Sequence, residues 1–113
     1  MADLKEVLES AGLPAQRGVY TGESKPAAYY TFLRIMANAL VETEDMNTAK
    51  ESKEMYRVTL FHKEDFEKQL QNTLEKLKAA GYYINSVDAE NYETDTGYWV
   101  VPITIQILRE KEI

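Results

Sequence analysis

The stretch Met55-Tyr-Arg-Val-Thr-Leu-Phe-His62, followed without a gap by Lys63-Glu-Asp-Phe-Glu67, decides the fold class. Apolar and polar residues alternate over the first segment, which is the pattern of a strand with one buried side. From residue 63 to about residue 80 the apolar residues recur every three or four positions, which predicts an amphipathic helix that ends at Gly81. A strand that leads directly into a helix indicates a domain that mixes both kinds of element.

Similar elements are predicted on both sides of this stretch. Before it come a helix over residues 4–11, which Asp3 caps and Gly12 ends, strands over residues 15–21 and 27–35, and an optional strand over residues 36–42. After it come strands over residues 82–89 and 98–108, joined by a turn at residues 94–97. The predicted fold is therefore α+β: a mainly antiparallel sheet of four to five strands with two helices packed on one face, in the order α-β-β-(β)-β-α-β-β.

Composition limits the classes of function. The 113 residues suit a single domain over residues 1–113, and the formal net charge of −6 disfavours tight binding to nucleic acid or to anionic membranes through phosphate neutralisation. There is no cysteine, which excludes thiolate zinc sites, cysteine nucleophiles and disulfides. No apolar run has the length of a membrane span, and the N-terminal residues do not have the pattern of a signal peptide, so we expect an intracellular protein without membrane contact.

No residue pattern predicts a catalytic, metal or cofactor site. The glycines are scattered and form no phosphate-binding loop, and His62, the single histidine, is expected to be a surface or half-buried residue at the end of a strand. Acidic residues cluster near the last hairpin, where Asp88, Glu90 and Glu93 leave a small enzyme as one alternative. Their spacing does not match a calcium loop, so surface carboxylates are the favoured interpretation.

Tyrosine is the unusual residue of this sequence, with 8 copies and two adjacent pairs, Tyr29-Tyr30 and Tyr82-Tyr83. Neighbouring residues of a strand face opposite sides, so one tyrosine of each pair is expected in the core and the other on the outer face of the sheet. Tyrosine is enriched at protein interfaces, which suggests that something covers that face, although aromatic residues on a solvated sheet and stacking platforms for single-stranded nucleic acid remain alternatives.

A polar stretch over residues 43–53 contains almost nothing to bury and is predicted to be a long mobile loop or hairpin tip. We hypothesise that it becomes ordered on docking, so that deletion of residues 45–51 should preserve the fold and abolish assembly. With the tyrosines it completes the set of candidate interface residues. These are Tyr29, Tyr30, Glu44, Asp45, Met46, Tyr82, Tyr83, Tyr98 and Trp99.

The order of these segments resembles the tail-terminator, or tail-completion, proteins of long-tailed bacteriophages and prophages. The resemblance covers most of the chain and depends on order and length rather than on one specific motif. The matching segments are Gly12-Leu-Pro14, Arg17-Gly-Val-Tyr20, Lys25-Pro-Ala-Ala-Tyr-Tyr-Thr-Phe32, the polar stretch, Tyr56-Arg-Val-Thr-Leu-Phe-His62 with the charged helix start, and Gly81-Tyr-Tyr-Ile84. Residues 85–93 are longer and more polar than the family pattern.

The resemblance implies a structural role without catalysis. Such proteins form a ring, usually of six copies, at the head-proximal end of the tail, where the ring ends the growth of the tail tube and joins the tail to the head. The implied partners are further copies of the chain, with a monomer before assembly left open, the tail-tube protein, a head-completion or connector protein, and DNA that passes without specific binding. The implied locations are the bacterial host cytoplasm during assembly and then the neck of the virion. A single-stranded nucleic-acid-binding module is the alternative function.

Overall fold

The computed structural model describes residues 3–22, 24–41 and 49–110, which form two helices and six strands. In chain order these are α1 (Leu4–Ser10), β1 (Ala15–Arg17), β2 (Ala28–Val41), β3 (Ala49–His62), α2 (Glu67–Ala79), β4 (Tyr83–Val87), β5 (Asn91–Glu93) and β6 (Tyr98–Glu110). The α+β class predicted from the sequence is confirmed.

The strands form one mixed sheet in the order β1-β2-β3-β6-β4, and β5 also pairs with β6. All neighbours are antiparallel except β1 and β2, which run parallel over Ala15–Arg17 and Tyr30–Phe32. The expectation of a mainly antiparallel sheet is therefore correct, but the sheet has six strands rather than four to five. The additional strand, β5, lies in the polar segment that precedes the last turn.

Strand boundaries differ from the prediction in the middle of the chain. The stretch 43–53 is not all loop, because β3 already begins at Ala49 and pairs with β2 along 14 residues. Polar residues such as Lys53 belong to this strand since a sheet that is open on one face tolerates them there. The remaining residues of that stretch up to residue 48, and with them the predicted contacts Glu44, Asp45 and Met46, lie outside the described residues.

Both helices pack on one face of the sheet and enclose the core. From β3 this face receives Tyr56, Val58 and Leu60, the side chains that alternate in the sequence, and β6 adds four residues from Val101 to Ile107. The apolar stripe of α1 and the buried residues of α2, including Leu77, close the cluster. Asp3 caps α1 by accepting the backbone N–H of Glu6 at 2.9 Å, as the capping pattern predicts.

A buried polar network joins the core face of the sheet to both helices. The amide nitrogen of Gln69 donates to the Tyr30 hydroxyl at 2.7 Å and to the carbonyl oxygen of Ala11 at 2.9 Å. The Tyr30 hydroxyl lies 2.5 Å from that of Thr73, which in turn donates to the carbonyl oxygen of Gln69 at 2.7 Å. Asn72 donates a second hydrogen bond to Ala11 at 3.0 Å, so α2 side chains satisfy a carbonyl at the end of α1.

Candidate interaction surface

The face of the sheet opposite the helices divides into two ends with different surroundings. At the end where β2 begins, the segment between β1 and β2 returns across the sheet, and the Tyr98 hydroxyl donates to the carbonyl oxygen of Pro26 in that segment at 2.6 Å. At the other end β2, β3 and β6 continue as long strands, and the molecule is elongated, with extents of 53 × 26 × 24 Å. We call the first part the aromatic end and the second part the open end.

The aromatic end is a cluster of four rings packed on one another. Tyr29 stacks on Phe61 with 4.6 Å between ring centroids and meets Tyr98 edge-on at 5.4 Å. Tyr20, from the returning segment, lies 4.8 Å from Tyr29, and the Lys63 ammonium lies 5.0 Å from the centre of the Tyr98 ring. These are the geometries that aromatic and cation–π pairs prefer, so the chain itself buries the aromatic residues at this end.

Burial at the aromatic end changes the acidity of its hydroxyls. Desolvation, followed by the negative charges that Tyr98, Glu93 and Tyr20 would carry, raises the pKa of Tyr29 to about 12. The pKa of Tyr98 is also raised, first by desolvation and then by Tyr20. A cavity of about 350 Å³ remains beside these rings, lined in part by Lys25 and Glu93. Tyr29 and Tyr98 are therefore protonated at physiological pH, and their rings form an apolar support under the returning segment.

The open end exposes apolar side chains instead of covering them. Tyr83 on β4 is 65% exposed and Leu108 on β6 is 53% exposed. On β2, Leu33 and Ile35 are 42% and 44% exposed, and Ile35 lies at a register shift between β2 and β3. Val87, also on β4, is 41% exposed at the same edge, but it pairs with the core residue Ile103 and therefore lies on the helix side of the sheet. Exposed apolar residues are typical of protein contact sites when they are grouped, and here they lie in two groups, one at each side of the sheet.

The predicted interface tyrosines fall into different environments. One member of each adjacent pair lies in the core and the other on the opposite face, as predicted: Tyr30 and Tyr82 are buried among core residues, and Tyr29 and Tyr83 point away from them. Tyr29 and Tyr98 are nevertheless only 3% and 4% exposed. Of these tyrosines, only Tyr83 offers a large free surface.

Trp99 lies on the helix-covered face near the last turn. Its ring is 5.9 Å from that of Phe66, which precedes α2, and 4.9 Å from that of Tyr92 on β5. Trp99 therefore connects the tip of the last hairpin to the core and is partly buried there. Its exposed neighbour Tyr92 was not among the predicted interface residues.

The aliphatic residues at the two sheet edges were not predicted as contact residues from the sequence. Leu33, Ile35 and Val87 occur within predicted strands, where an apolar residue is expected to be buried. Their exposure follows from the strand order, which within the described residues places β4 at one edge and leaves β2 without an outer neighbour beyond Phe32 at the other. Single-strand periodicity does not contain that order. The uncharged run from Ile35 to Val41 was the available signal, because an edge strand is usually protected by charged residues or proline.

The acidic residues near the last hairpin do not form a common site. Asp88 makes an exposed ion pair with Arg57 at 3.9 Å, and Glu93 accepts a hydrogen bond from Thr96 at 3.0 Å. Within the described part of the chain, no three potential metal ligands come together. His62 ends β3, and its Nδ1 accepts the backbone N–H of Glu64 at 3.0 Å, which fixes the turn into α2.

A polar groove of about 530 Å³ runs beside α2 and is lined in part by Asp65, Lys68 and Gln69. Gln69 is committed to the buried network described above, so the groove wall is part of the scaffold. Neither of the two helices in the described ranges is long and apolar enough to cross a membrane.

Comparisons with known proteins add information on the fold alone. No family model matches the chain, and no curated protein sequence matches it. One solved structure aligns with 97% of this chain and 89% of its own chain at 12% sequence identity and a TM-score of 0.57. This likeness shows that the arrangement of elements occurs in another protein.

Proposed function

We propose that this protein is a tail-terminator protein, a structural subunit that forms a ring at the head-proximal end of a long phage tail. The observation that carries the proposal is the pair of sheet edges with exposed apolar side chains, Leu33 and Ile35 on β2 and Tyr83 and Val87 on β4. A ring subunit needs two different contact surfaces, one for each neighbour. The α+β order of elements, which the resemblance implied, supports the same role.

The charge of the chain suits a ring through which DNA passes. A net charge of −6 repels the phosphates of DNA, and the effect extends over about 8 Å at physiological ionic strength. Such a ring lets the polyanion pass without gripping it. The proposed partners are further copies of the chain, the tail-tube protein and a head-completion or connector protein, first in the host cytoplasm and then in the neck of the virion.

Burial of the aromatic end weighs against the alternative of a single-stranded nucleic-acid-binding module. Base stacking needs accessible ring faces, and Tyr29 and Tyr98 have almost no accessible surface. Binding of single-stranded RNA or DNA at low salt, lost steeply as salt rises, would favour that alternative instead.

The proposal is tested by deleting the coding sequence from the phage or prophage that carries it and imaging the induced lysate. We expect filled heads without tails together with headless tails of excessive length, because nothing stops the polymerisation of the tube. Supplying the chain in trans should restore infectious particles. Normal tails and normal infectivity after the deletion would overturn the proposal.

The predicted contacts Glu44, Asp45 and Met46 remain part of this proposal. Because β3 begins at Ala49, the deletion of residues 45–51 would also shorten a strand, and substitution separates the two effects. We expect a triple alanine variant at these positions to keep the thermal stability of the parent and to reduce the yield of infectious particles. An unchanged yield would remove these residues from the interface.

A further inference from the structure

The outer side of β2, the side away from β3, is paired over only a small part of its length. On the outer side of β2, β1 pairs with Tyr30–Phe32, and the backbone N–H of Gly18 donates to the Phe32 carbonyl at 2.8 Å as the chain turns away. From Leu33 onward, no strand in the described ranges lies outside β2. The opposite edge of the sheet is β4, whose outer side is also unpaired within those ranges.

Both edges carry few of the features that normally prevent strands of different molecules from pairing. Residues 83–87 of β4 (Tyr-Ile-Asn-Ser-Val) contain neither a charged residue nor proline. The bare part of β2, residues 33–41, contains no proline and one charged residue, Arg34, which lies 4.0 Å from Glu54 of the same chain. Unguarded edges are templates for strand addition. Contact between the edges would remove apolar surface from water. The side chains that would be buried are Leu33 and Ile35 on one edge and Tyr83 and Val87 on the other.

The register places the two edges at the same height along the strands. Reading across the sheet, Leu33 pairs with Arg57, Arg57 with Thr104, and Thr104 with Ser86. The next row consists of Arg34, Tyr56, Ile105 and Ile84, and the row after it of Met36, Met55, Gln106 and Tyr83. Residues 83–86 of β4 are therefore level with residues 33–36 of β2, directly beyond the last residue that β1 covers, and Val87 is level with Phe32, where it would meet the end of β1.

The strand directions are also compatible. Three antiparallel steps separate β2 from β4, so the two strands run in opposite directions within one sheet. A second copy placed beside the first in the same orientation would bring its β2 next to β4 as an antiparallel neighbour, without a shift along the strands. Antiparallel pairing needs no further rearrangement of either copy.

We infer that β4 of one copy pairs with the bare part of β2 of the next copy, so that the sheet continues from subunit to subunit. The contact joins two different edges and is heterologous, which is the type that generates rings. This inference deepens the proposed function, since it identifies which surfaces would join the subunits of the ring, and the partner it names is a second copy of this chain.

Cysteine crosslinking tests the inference directly, because the native chain has no cysteine. In the proposed joint Leu33 of one copy lies opposite Ser86 of its neighbour, on the same face of the sheet. Within one chain these residues are three strand spacings apart, about 14 Å, which is too far for a disulfide. The variant with Leu33→Cys and Ser86→Cys should therefore form disulfides only between chains.

We expect mild oxidation of this double variant to give a ladder of dimers and higher multimers on a non-reducing gel. Its crosslinked fraction should be roughly tenfold above that of a control with Lys76→Cys and Ser86→Cys, because pairing raises the effective concentration of the thiols. Lys76 is exposed on α2 and belongs to neither edge strand. A yield no higher than that of the control would overturn the inference, and efficient dimers of the Leu33→Cys variant alone would replace it with a symmetric β2–β2 contact.

A second measurement does not depend on disulfide geometry. Leu33→Lys places a charge on the exposed edge and should lower the average mass in sedimentation velocity at high protein concentration, while the circular dichroism spectrum stays that of the parent. If the parent self-associates and Leu33→Lys leaves its mass distribution unchanged, the pairing is contradicted. It is also contradicted if the parent stays monomeric at every concentration and the double cysteine variant gives no crosslinks. Crosslinks together with normal tails in the deletion strain would leave the pairing intact and remove the proposed role. Absence of crosslinks together with overlong, headless tails in the deletion strain would retain the proposed role and remove the pairing.

Discussion

Tyr29 and Tyr83 lie on the same face of the same sheet, and their surroundings are opposite. Tyr29 is 3% exposed beneath the segment that connects β1 to β2, and Tyr83 is 65% exposed at the edge of the open end. Each belongs to an adjacent tyrosine pair whose other member is buried in the core. The difference arises from what crosses the sheet above the ring, because both rings lie on the face that the helices do not cover.

This comparison separates two uses of an aromatic residue outside the main core. At the aromatic end the ring stabilises the chain itself, and at the open end it is available to a partner. Substitution at the first position should therefore affect the free energy of unfolding, and substitution at the second should affect association only. The following predictions test that division, beginning with the largest effect.

The largest difference is expected between Tyr29→Ala and Tyr83→Ala. Removing the Tyr29 ring leaves Phe61 and Tyr98 without their central partner, and truncation of a buried aromatic residue costs about 3 kcal/mol or more. Tyr83→Ala should change the free energy of unfolding by less than about 0.5 kcal/mol. Urea denaturation followed by circular dichroism measures both values. Equal effects of the two substitutions would show that the two ends do not differ.

A smaller effect is expected for Tyr30→Phe, which keeps the ring and removes only the buried hydroxyl. The amide of Gln69 and the hydroxyl of Thr73 then lose a partner, and a buried polar group without one costs about 1–3 kcal/mol. Tyr83→Phe is the matched control, for which we expect no measurable change in urea denaturation. A Tyr30→Phe variant as stable as the parent would mean that the network does not contribute to stability.

Alkaline pH should weaken the aromatic end selectively. Tyr29 has a pKa of about 12 in the folded chain against 10.0 for a free tyrosine, so the unfolded chain loses this proton first. The stabilisation is fully present below about pH 10 and decreases as the pH rises through the folded value. Denaturation curves collected from pH 9 to pH 11.5 should show this decrease in the parent and a shallower one in Tyr29→Phe. Parallel decreases would exclude Tyr29 as the cause.

The smallest effect on stability is expected for removal of the ion pair between Arg57 and Asp88. Arg57 and Asp88 are 3.9 Å apart and both side chains are partly exposed, 39% and 44% respectively. Such pairs contribute between about 0 and 1 kcal/mol and are screened by salt. We expect Asp88→Asn to change the midpoint of thermal unfolding only slightly, and less still at high salt. A loss as large as that of Tyr30→Phe would assign this pair a structural role.

Most of the fold could be predicted because local patterns and final positions agree. The alternation over residues 55–62, the spacing of α2 and the Asp3 cap are all found in the structure. Two features could not be predicted in this way. The parallel pairing of β1 depends on a contact of three residues between distant segments, and β5 consists of polar residues that pair because the turn at residues 94–97 brings them beside β6.

The interaction surface was less predictable than the fold. Residue type identified tyrosines, but tertiary position decides whether a tyrosine is accessible, and it places Tyr30 and Tyr82 in the core. The exposed residues Leu33 and Ile35 look like core residues in the sequence, and only the strand order shows that they lie at an edge. Predicting whether a strand residue is exposed requires both the face it lies on and the position of its strand across the sheet. Periodicity in the sequence gives only the face.

The parallel pairing of β1 has a consequence for local motion. Parallel neighbours need a connection that returns to the starting end of the sheet, and here that connection carries Tyr20 onto Tyr29. β1 pairs with β2 over only three residues, so its release would also free the connection and admit water to the rings. We expect hydrogen exchange at the Gly18 amide and solvent access to Tyr29 to follow one opening event, cooperative with each other and separate from global unfolding.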